Sequence, residues 1–230
     1  MTKKAEVKNM FNNIALRYDL LNHVLSVGID KIWRKRVIKI LKSHNSKIIL
    51  DVATGTGDLA IAEASLKPEK IIGVDIAVEM LQVADKKIVK KNLDSIISLQ
   101  EGDSEILNFN DNYFDAITVA FGVRNFENLE KGLGEMCRVM NNNGVTVILE
   151  FSKPRIFPVK QFYNFYFKNI LPFIGKIISK DDFAYTYLPE SVKEFPDGQD
   201  FLNVLKKVGY KKVSAKPLTF GIATIYTAQK

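Results

Sequence analysis

The stretch Lys47-Ile48-Ile49-Leu50-Asp51-Val52-Ala53-Thr54-Gly55-Thr56-Gly57-Asp58 decides the fold. Its first five residues are a short apolar run ending in an acid, which reads as a buried strand. Gly55 and Gly57 then supply a turn in which a Cβ would obstruct the backbone or an approaching ligand. From Asp58 to Ala64 the pattern is helical. Outward from this unit the same rhythm repeats. A strand over Lys70 to Asp75 leads to a helix over Val78 to Lys90 and a third strand within Ser95 to Glu101. A fourth strand over Tyr113 to Ala120, a helix over Leu129 to Met140 and a fifth strand over Val145 to Phe151 follow. Strands alternating with helices at this spacing predict an α/β fold, a parallel sheet with helices on both faces.

The flanks have their own character. Phe11, Ile14, Ala15 and Tyr18 fall at helical spacing, and so do Ile32, Trp33, Val37, Ile40 and Leu41, so residues 1–45 read as an N-terminal helical lid. Residues 46–153 form the core. After Pro154 an aromatic-rich helical insertion covers 154–198, including Phe162, Phe165, Tyr166 and Phe173. Those rings suit a greasy channel or a membrane contact as well as they suit core packing. Residues 199–230 hold a helix over Gln199 to Val208 and strands over Lys211 to Lys216 and Thr224 to Ala228, whose short connection predicts an antiparallel hairpin. The whole reads as one domain.

Composition narrows the function classes. The chain has 230 residues, a single cysteine and two histidines, which rules out an intrachain disulfide and argues against a His/Cys zinc site. The N-terminus is polar where a signal peptide needs an apolar stretch. Lys168, Pro172 and Lys176 interrupt the most apolar region, Phe162 to Ser179, which argues against a membrane span and for a cytoplasmic protein. The net charge is +7, and residues 1–45 carry all of that excess. Such a basic lobe is a solvated helical face or a weak contact with an anionic surface, including the periphery of a membrane. The charge also raises an RNA methyltransferase. That class predicts an Asn/Asp-Pro-Pro-aromatic motif or a cysteine pair, and the chain has neither.

The chemistry-bearing residues cluster at the ends of the predicted strands. Gly55 and Gly57 lie between strand and helix, where the free N–H groups of the helix face a ligand. Asp75 ends the second strand, placed to accept hydrogen bonds from both ribose hydroxyls of a nucleotide-like cofactor. Asp103-Ser104 follows the third strand, where a carboxylate and a backbone N–H can clasp an adenine edge. Gly55 to Ala60 also satisfies the dinucleotide pattern G-x-G-x-x-G/A. Two features count against a nicotinamide cofactor. Asp51 suits a cationic amino acid or sulfonium better than a pyrophosphate, and a closing hairpin replaces the second βαβαβ half. S-adenosyl-L-methionine is therefore the expected cofactor, with no metal and no nucleic acid. Cys137, beside Met136 and Val139 on a helix, reads as packing. Trp33 reads as a core anchor before a stacking platform, and His23 as a packing or surface histidine.

Several stretches carry a family resemblance. They are Phe11 to Asn22 with its Arg17-Tyr18-Asp19, Gly28 to Arg34, Leu50 to Leu59, Phe121-Gly122-Val123-Arg124-Asn125, Glu150-Phe151-Ser152-Lys153-Pro154 and Tyr185 to Ser191. In this order, from Phe11 to the C-terminus, they resemble the UbiE/MenG/Coq5 quinone C-methyltransferases. The resemblance implies a class I methyltransferase with a Rossmann-like, seven-stranded, mostly parallel sheet and an antiparallel last strand. It implies methylation of a ring carbon of a polyprenylated quinol, demethylmenaquinol ahead of the benzoquinol of ubiquinone synthesis. A non-catalytic cofactor-binding partner of a quinone-synthesis complex is the alternative from another class, and a homodimer is compatible with either. Carried over by position, Thr56, Asp75, Asp103 and Ser104 are cofactor contacts, joined by Asp51, Gly55 and Gly57 from the reading above. Arg124, Asn125 and Tyr18 are the catalytic candidates, working near the quinol oxygen. Arg124 stays charged and is a poor base, so it would stabilise a developing phenolate; the other reading of it is a structural salt bridge. Some relatives have Asn-Ala for Asp103-Ser104 and Ser for Ala120.

Overall fold

The computed structural model describes residues 2–26, 28–170 and 182–230. Its sheet has seven strands: β1 (Ile48–Val52), β2 (Lys70–Asp75), β3 (Ile97–Glu101), β4 (Phe114–Ala120), β5 (Met140–Phe151), β6 (Lys212–Leu218) and β7 (Ala223–Gln229). They lie in the order β3-β2-β1-β4-β5-β7-β6. The first five pair in parallel. Only β7 runs against them, inserted between β5 and β6 and antiparallel to both. The expected hairpin is there, but its second strand is the one that joins the sheet.

Helices cover both faces, so the central strands are buried on both sides and read as continuous apolar runs. The two-residue period shows in which core each side chain joins. Leu50 and Val52 point to the side packed by Leu133 and Met136 of α5 (Leu129–Val139). Ile49 points to the side packed by Trp33, Val37 and Leu41 of α2 (Ile29–Leu41). The remaining helices are α1 (Lys3–Leu25), α3 (Asp58–Glu63), α4 (Val78–Lys90), α6 (Val159–Phe165), α7 (Asp182–Glu194) and α8 (Gln199–Lys207).

The N-terminal helix sits on the core rather than beside it. Ile14 and Ala15 of α1 are buried against Ala77 and Met80 at the start of α4. Val7 and Met10 are buried too. Full burial of a Val, Ile or Met side chain contributes about 1.5–3 kcal/mol, so Val7, Met10 and Ile14 hold the helix down firmly.

One boundary departs from expectation. β5 begins at Met140, five residues before Val145, because Met140 pairs with Phe114 and the register then shifts before Val145 meets Ala116. The turn-like letters Asn141-Asn142-Asn143-Gly144 conceal this irregular extension, since pairing overrides local preference there.

Candidate active site

β1 lies between β2 and β4, so the connections diverge at its carboxyl end, and a crevice opens there. The backbone at this edge is tightly shaped. Gly55 and Gly57 have φ of 56° and 75°, and Ala53 and Phe121 also take left-handed φ of 52° and 59°. Two non-glycine residues in that region, just past the ends of β1 and β4, mark stored strain of the kind found at functional sites. Gly122 is required sterically, since a Cβ on it would lie 2.6 Å from the Ala53 Cβ.

Three cavities open to solvent meet at this edge, and their volumes include the open space at the mouths. The first, about 710 Å³, is lined by Gly55, Asp75, Asp103, Ser104, Asn125 and Tyr18 among others. The second, about 1060 Å³, is largely apolar and lined by Trp33, Phe121, Phe151, Phe162, Tyr163 and Tyr166, with Asp30 and Arg34 among its few polar residues. A third, about 390 Å³, contains Asp51, Gly55, Thr56, Tyr18 and Arg34. Phe121 lines all three, and Asn22 and Arg34 are common to the second and third.

The acids are held in defined poses. Asp75 accepts from the Gly55 N–H at 2.7 Å and the Ala77 N–H at 2.8 Å, which fixes its carboxylate while leaving lone pairs toward the first cavity. Burial nonetheless raises its pKa, against those two amides. Asp51 accepts from the Thr54 hydroxyl at 2.6 Å and the Thr118 hydroxyl at 3.1 Å. Burial pushes its pKa up to about 7 despite both hydroxyls, with the Asp75 charge adding to the rise. A cation beside it would restore the ionised form. Asp103 accepts from Lys4 Nζ at 2.7 Å, so a lysine of α1 already occupies one of its oxygens.

The helix α1 closes the first cavity from above. Tyr18 lies over Gly55, where a Cβ would sit 4.0 Å from Tyr18 Cε1. Burial raises the Tyr18 pKa, and its hydroxyl pairs with Asn22. Asp19 accepts from Thr56 Oγ1 at 2.5 Å and from Lys87 Nζ at 2.7 Å, so Thr56 ties the lid to the glycine turn.

Arg124 and Asn125 follow β4 and diverge. Asn125 lines the first cavity, and its Oδ1 accepts from the Tyr187 hydroxyl at 3.0 Å. Arg124 forms an ion pair with Glu150 at 2.8 Å, the two side chains being 6% and 0% exposed. It also donates to Ser191 Oγ at 3.3 Å and to the Phe121 carbonyl at 2.5 Å. Its guanidinium carbon lies 5.4 Å over the Phe151 ring, on a residue that lines the apolar cavity. The charge thus reaches the Tyr18, Tyr163 and Tyr187 phenols, pulling each pKa down against the larger effect of burial.

Of the other expectations, Cys137 is buried in the core. Trp33 is both a core residue and a cavity wall, its indole N–H donating to Thr219 Oγ1 at 2.8 Å. Phe162 and Phe165 are exposed and do not fill the core. Phe173 and the side chain of His23 lie outside the described residues. Sequence reading missed Asp30, Arg34, Phe121 and Glu150. The opposite charges of Asp30 and Arg34 one turn apart were the available signal for that pair. The left-handed φ of Phe121 has none.

The sheet order, the inserted antiparallel β7 and a nucleotide-sized cavity at the switch point define a class I S-adenosylmethionine-dependent methyltransferase. The glycines without Cβ, the fixed Asp75 and the cation-seeking Asp51 fit that methyl donor. The profile of the ubiE/COQ5 methyltransferase family matches residues 1–230, and the chain belongs to that family. A demethylmenaquinone methyltransferase of Bacteroides fragilis is 50% identical over 229 residues, covering 99% of this chain and 94% of that protein. A ubiquinone/menaquinone biosynthesis C-methyltransferase UbiE of Geotalea daltonii is 45% identical over 233 residues, covering 100% and 99%. Among solved structures, a putative S-adenosyl-L-methionine-dependent methyltransferase of Methanococcus maripaludis aligns with a TM-score of 0.65 at 20% identity, over 97% of this chain and 93% of that one. That likeness concerns the fold.

Proposed function

We propose that this enzyme methylates a ring carbon of a polyprenylated demethylmenaquinol in menaquinone biosynthesis. The observation that carries the reading is the apolar cavity walled by Trp33, Phe121, Phe151 and Tyr163, which meets the donor cavity at Phe121. Its aromatic and aliphatic lining suits a flat ring with an apolar tail, and the B. fragilis relative is named for the same acceptor.

S-adenosylmethionine supplies a methyl group on a sulfonium, which an electron-rich carbon can take. The reduced quinol is such a nucleophile and the quinone is not. Asp75 receives the ribose hydroxyls, Asp103 and Ser104 hold the adenine edge, and Asp51 faces the cationic end. Gly55 and Gly57 let the backbone approach, and Thr56 secures the lid through Asp19. Tyr18 and Asn125 orient the acceptor, and Arg124 stabilises a developing phenolate through a low-dielectric, water-poor site. Exclusion of water and alignment of the reacting atoms supply the rest.

Exposed Phe162 and Phe165 on α6, together with the basic N-terminal lobe, suit peripheral contact with the membrane in which such a substrate resides. The decisive assay offers the purified protein demethylmenaquinol and, separately, the ubiquinone-type benzoquinol, with mass spectrometry of the products. Methylation of the naphthoquinol is expected, and methylation of the benzoquinol alone overturns the choice of acceptor. Arg124→Ala with near-normal turnover and unchanged donor affinity removes the role given to Arg124. Vesicle binding that survives neutralisation of the N-terminal lysines removes theirs.

A further inference from the structure

The apolar cavity has one charged pair in its wall, made by residues with no role so far. Asp30 and Arg34 stand one turn apart on α2, both line that cavity, and Asp30 is 2% exposed. Asp30 Oδ1 accepts from Ser26 Oγ at 2.7 Å, and its Oδ2 accepts from Arg34. The same guanidinium nitrogen reaches Asp58 Oδ2 at 3.0 Å, and Asp58 Oδ1 accepts from Lys87 Nζ at 2.5 Å. A line of charged side chains therefore runs from the acceptor cavity to the glycine turn. A buried ion pair contributes little to stability, because removing two charges from water costs about what their attraction returns. Set in the wall of a cavity lined mainly by aromatic and aliphatic side chains, with Asn22, Ser26 and Thr219 as its small polar groups, this pair has the chemistry to receive a polar group of the ligand.

We propose that Asp30 is a further catalytic residue, accepting the hydroxyl proton of the bound quinol while Arg34 positions its carboxylate. This rests on the quinol reading above. The quinol O–H bond breaks and its proton passes to Asp30. The released electron pair enters the ring, the ring carbon bonds to the methyl, and the methyl–sulfur pair stays with sulfur. The methylated carbon then loses its hydrogen as a proton to solvent, the oxygen regains its proton from Asp30, and the aromatic ring is restored.

Trp33 is the only tryptophan of the chain and walls this cavity, so its fluorescence reports occupancy without any methyl donor. The full chain is titrated with a short-tailed prenyl naphthoquinol, kept reduced under anaerobic conditions, and with the corresponding dione. A carboxylate acceptor favours the hydroxyl form, so the wild type binds quinol more tightly than dione. Asp30→Asn weakens quinol binding about tenfold or more and leaves dione binding within about twofold, the loss of one charge-assisted hydrogen bond. Equal affinity of the wild type for both forms overturns the proposal, as does an equal change for both in the variant. If Asp30→Asn fails to fold by circular dichroism, Asp30→Asn/Arg34→Gln removes both charges and is judged by the same criterion. Wild-type fluorescence unmoved by either ligand overturns the acceptor reading and this proposal with it. Quenching without discrimination overturns this proposal alone.

Discussion

The carboxyl of Glu63, on α3, offers a quantitative test of how the ground beneath the glycine turn is charged. It is 0% exposed, and neither oxygen has a hydrogen bond of ordinary geometry among the described residues, the neighbouring Thr118 hydroxyl pointing to Asp51 instead. Burial first, and then the charge of Asp51, hold its pKa well above the usual carboxylate range, against a slight lowering by Thr118. Asp51 itself stands at about 7, raised mainly by burial. A carboxyl raised on folding keeps a proton that the unfolded chain has released. Its stabilisation is therefore full below the unfolded pKa and is lost as pH rises toward the folded one. The slope is about 1.4 kcal/mol per pH unit for each such group. Asp51 stops contributing near neutrality, while Glu63, whose pKa is held well up by burial, goes on contributing above it. Between about pH 7 and 8.5 the wild type should then lose stability relative to Glu63→Gln, which cannot ionise, by at most about 1.4 kcal/mol per pH unit while the folded carboxyl keeps its proton. Urea unfolding of both proteins at constant ionic strength across that range measures the difference directly. Contributions from titrating groups that do not interact with Glu63 are common to both and cancel, which leaves Asp51, whose charge acts on Glu63, as the exception. Parallel stability curves would falsify the buried-acid account. So would a variant that is much weaker at pH 7, because that means the carboxylate is ionised and satisfied.

Three further outcomes follow from the geometry. Gly55→Ala should cost about 1–2 kcal/mol for a left-handed alanine alone, whereas Gly57→Ala should cost roughly 1–3 kcal/mol more, its Cβ lying 3.1 Å from Ala84 Cβ; equal losses in urea would contradict the packing. Glu150→Gln strands the Arg124 charge in the interior and should lower the unfolding free energy by about 3 kcal/mol, most of which Glu150→Gln/Arg124→Met should recover. Lys4→Ala removes a partly exposed ion pair, so stability should move by less than about 1 kcal/mol. It also frees Asp103, and calorimetry with S-adenosylhomocysteine should show tighter binding; unchanged affinity would mean that Asp103 does not face the adenine.

The regular parts of the fold were legible because burial on both faces writes itself into the chain. β2 and α4 fall on their expected residues, Lys70–Asp75 and Val78–Lys90. The start of β5 was not, because a register shift beside Phe114 depends on a partner strand far away in sequence. The site divides in the same way. Asp51, Asp75, Asp103 and the two glycines could be placed from their positions at strand ends, and all line the cavities or the turn between them. Arg124 and Asn125 look alike in sequence, yet a 3-10 turn sends one to Glu150 and the other to the donor cavity. Lys4 and Asp19 reach the site across nearly the whole cofactor-binding half of the chain, which no local pattern records.

By itself, then, the sequence determined the alternation of strands and helices, the carboxylates at the strand ends and, through its motifs, the family. These are local properties, set by side-chain period and by what a turn will tolerate. The tertiary structure alone decided that α1 is tied to the turn through Asp19 and Thr56, and that Arg124 is pinned to a buried acid. It alone brought Asp30 and Arg34 to the wall of an apolar cavity. Each of those depends on which residues meet across the sheet edge, and such meetings are fixed by packing, not by position along the chain.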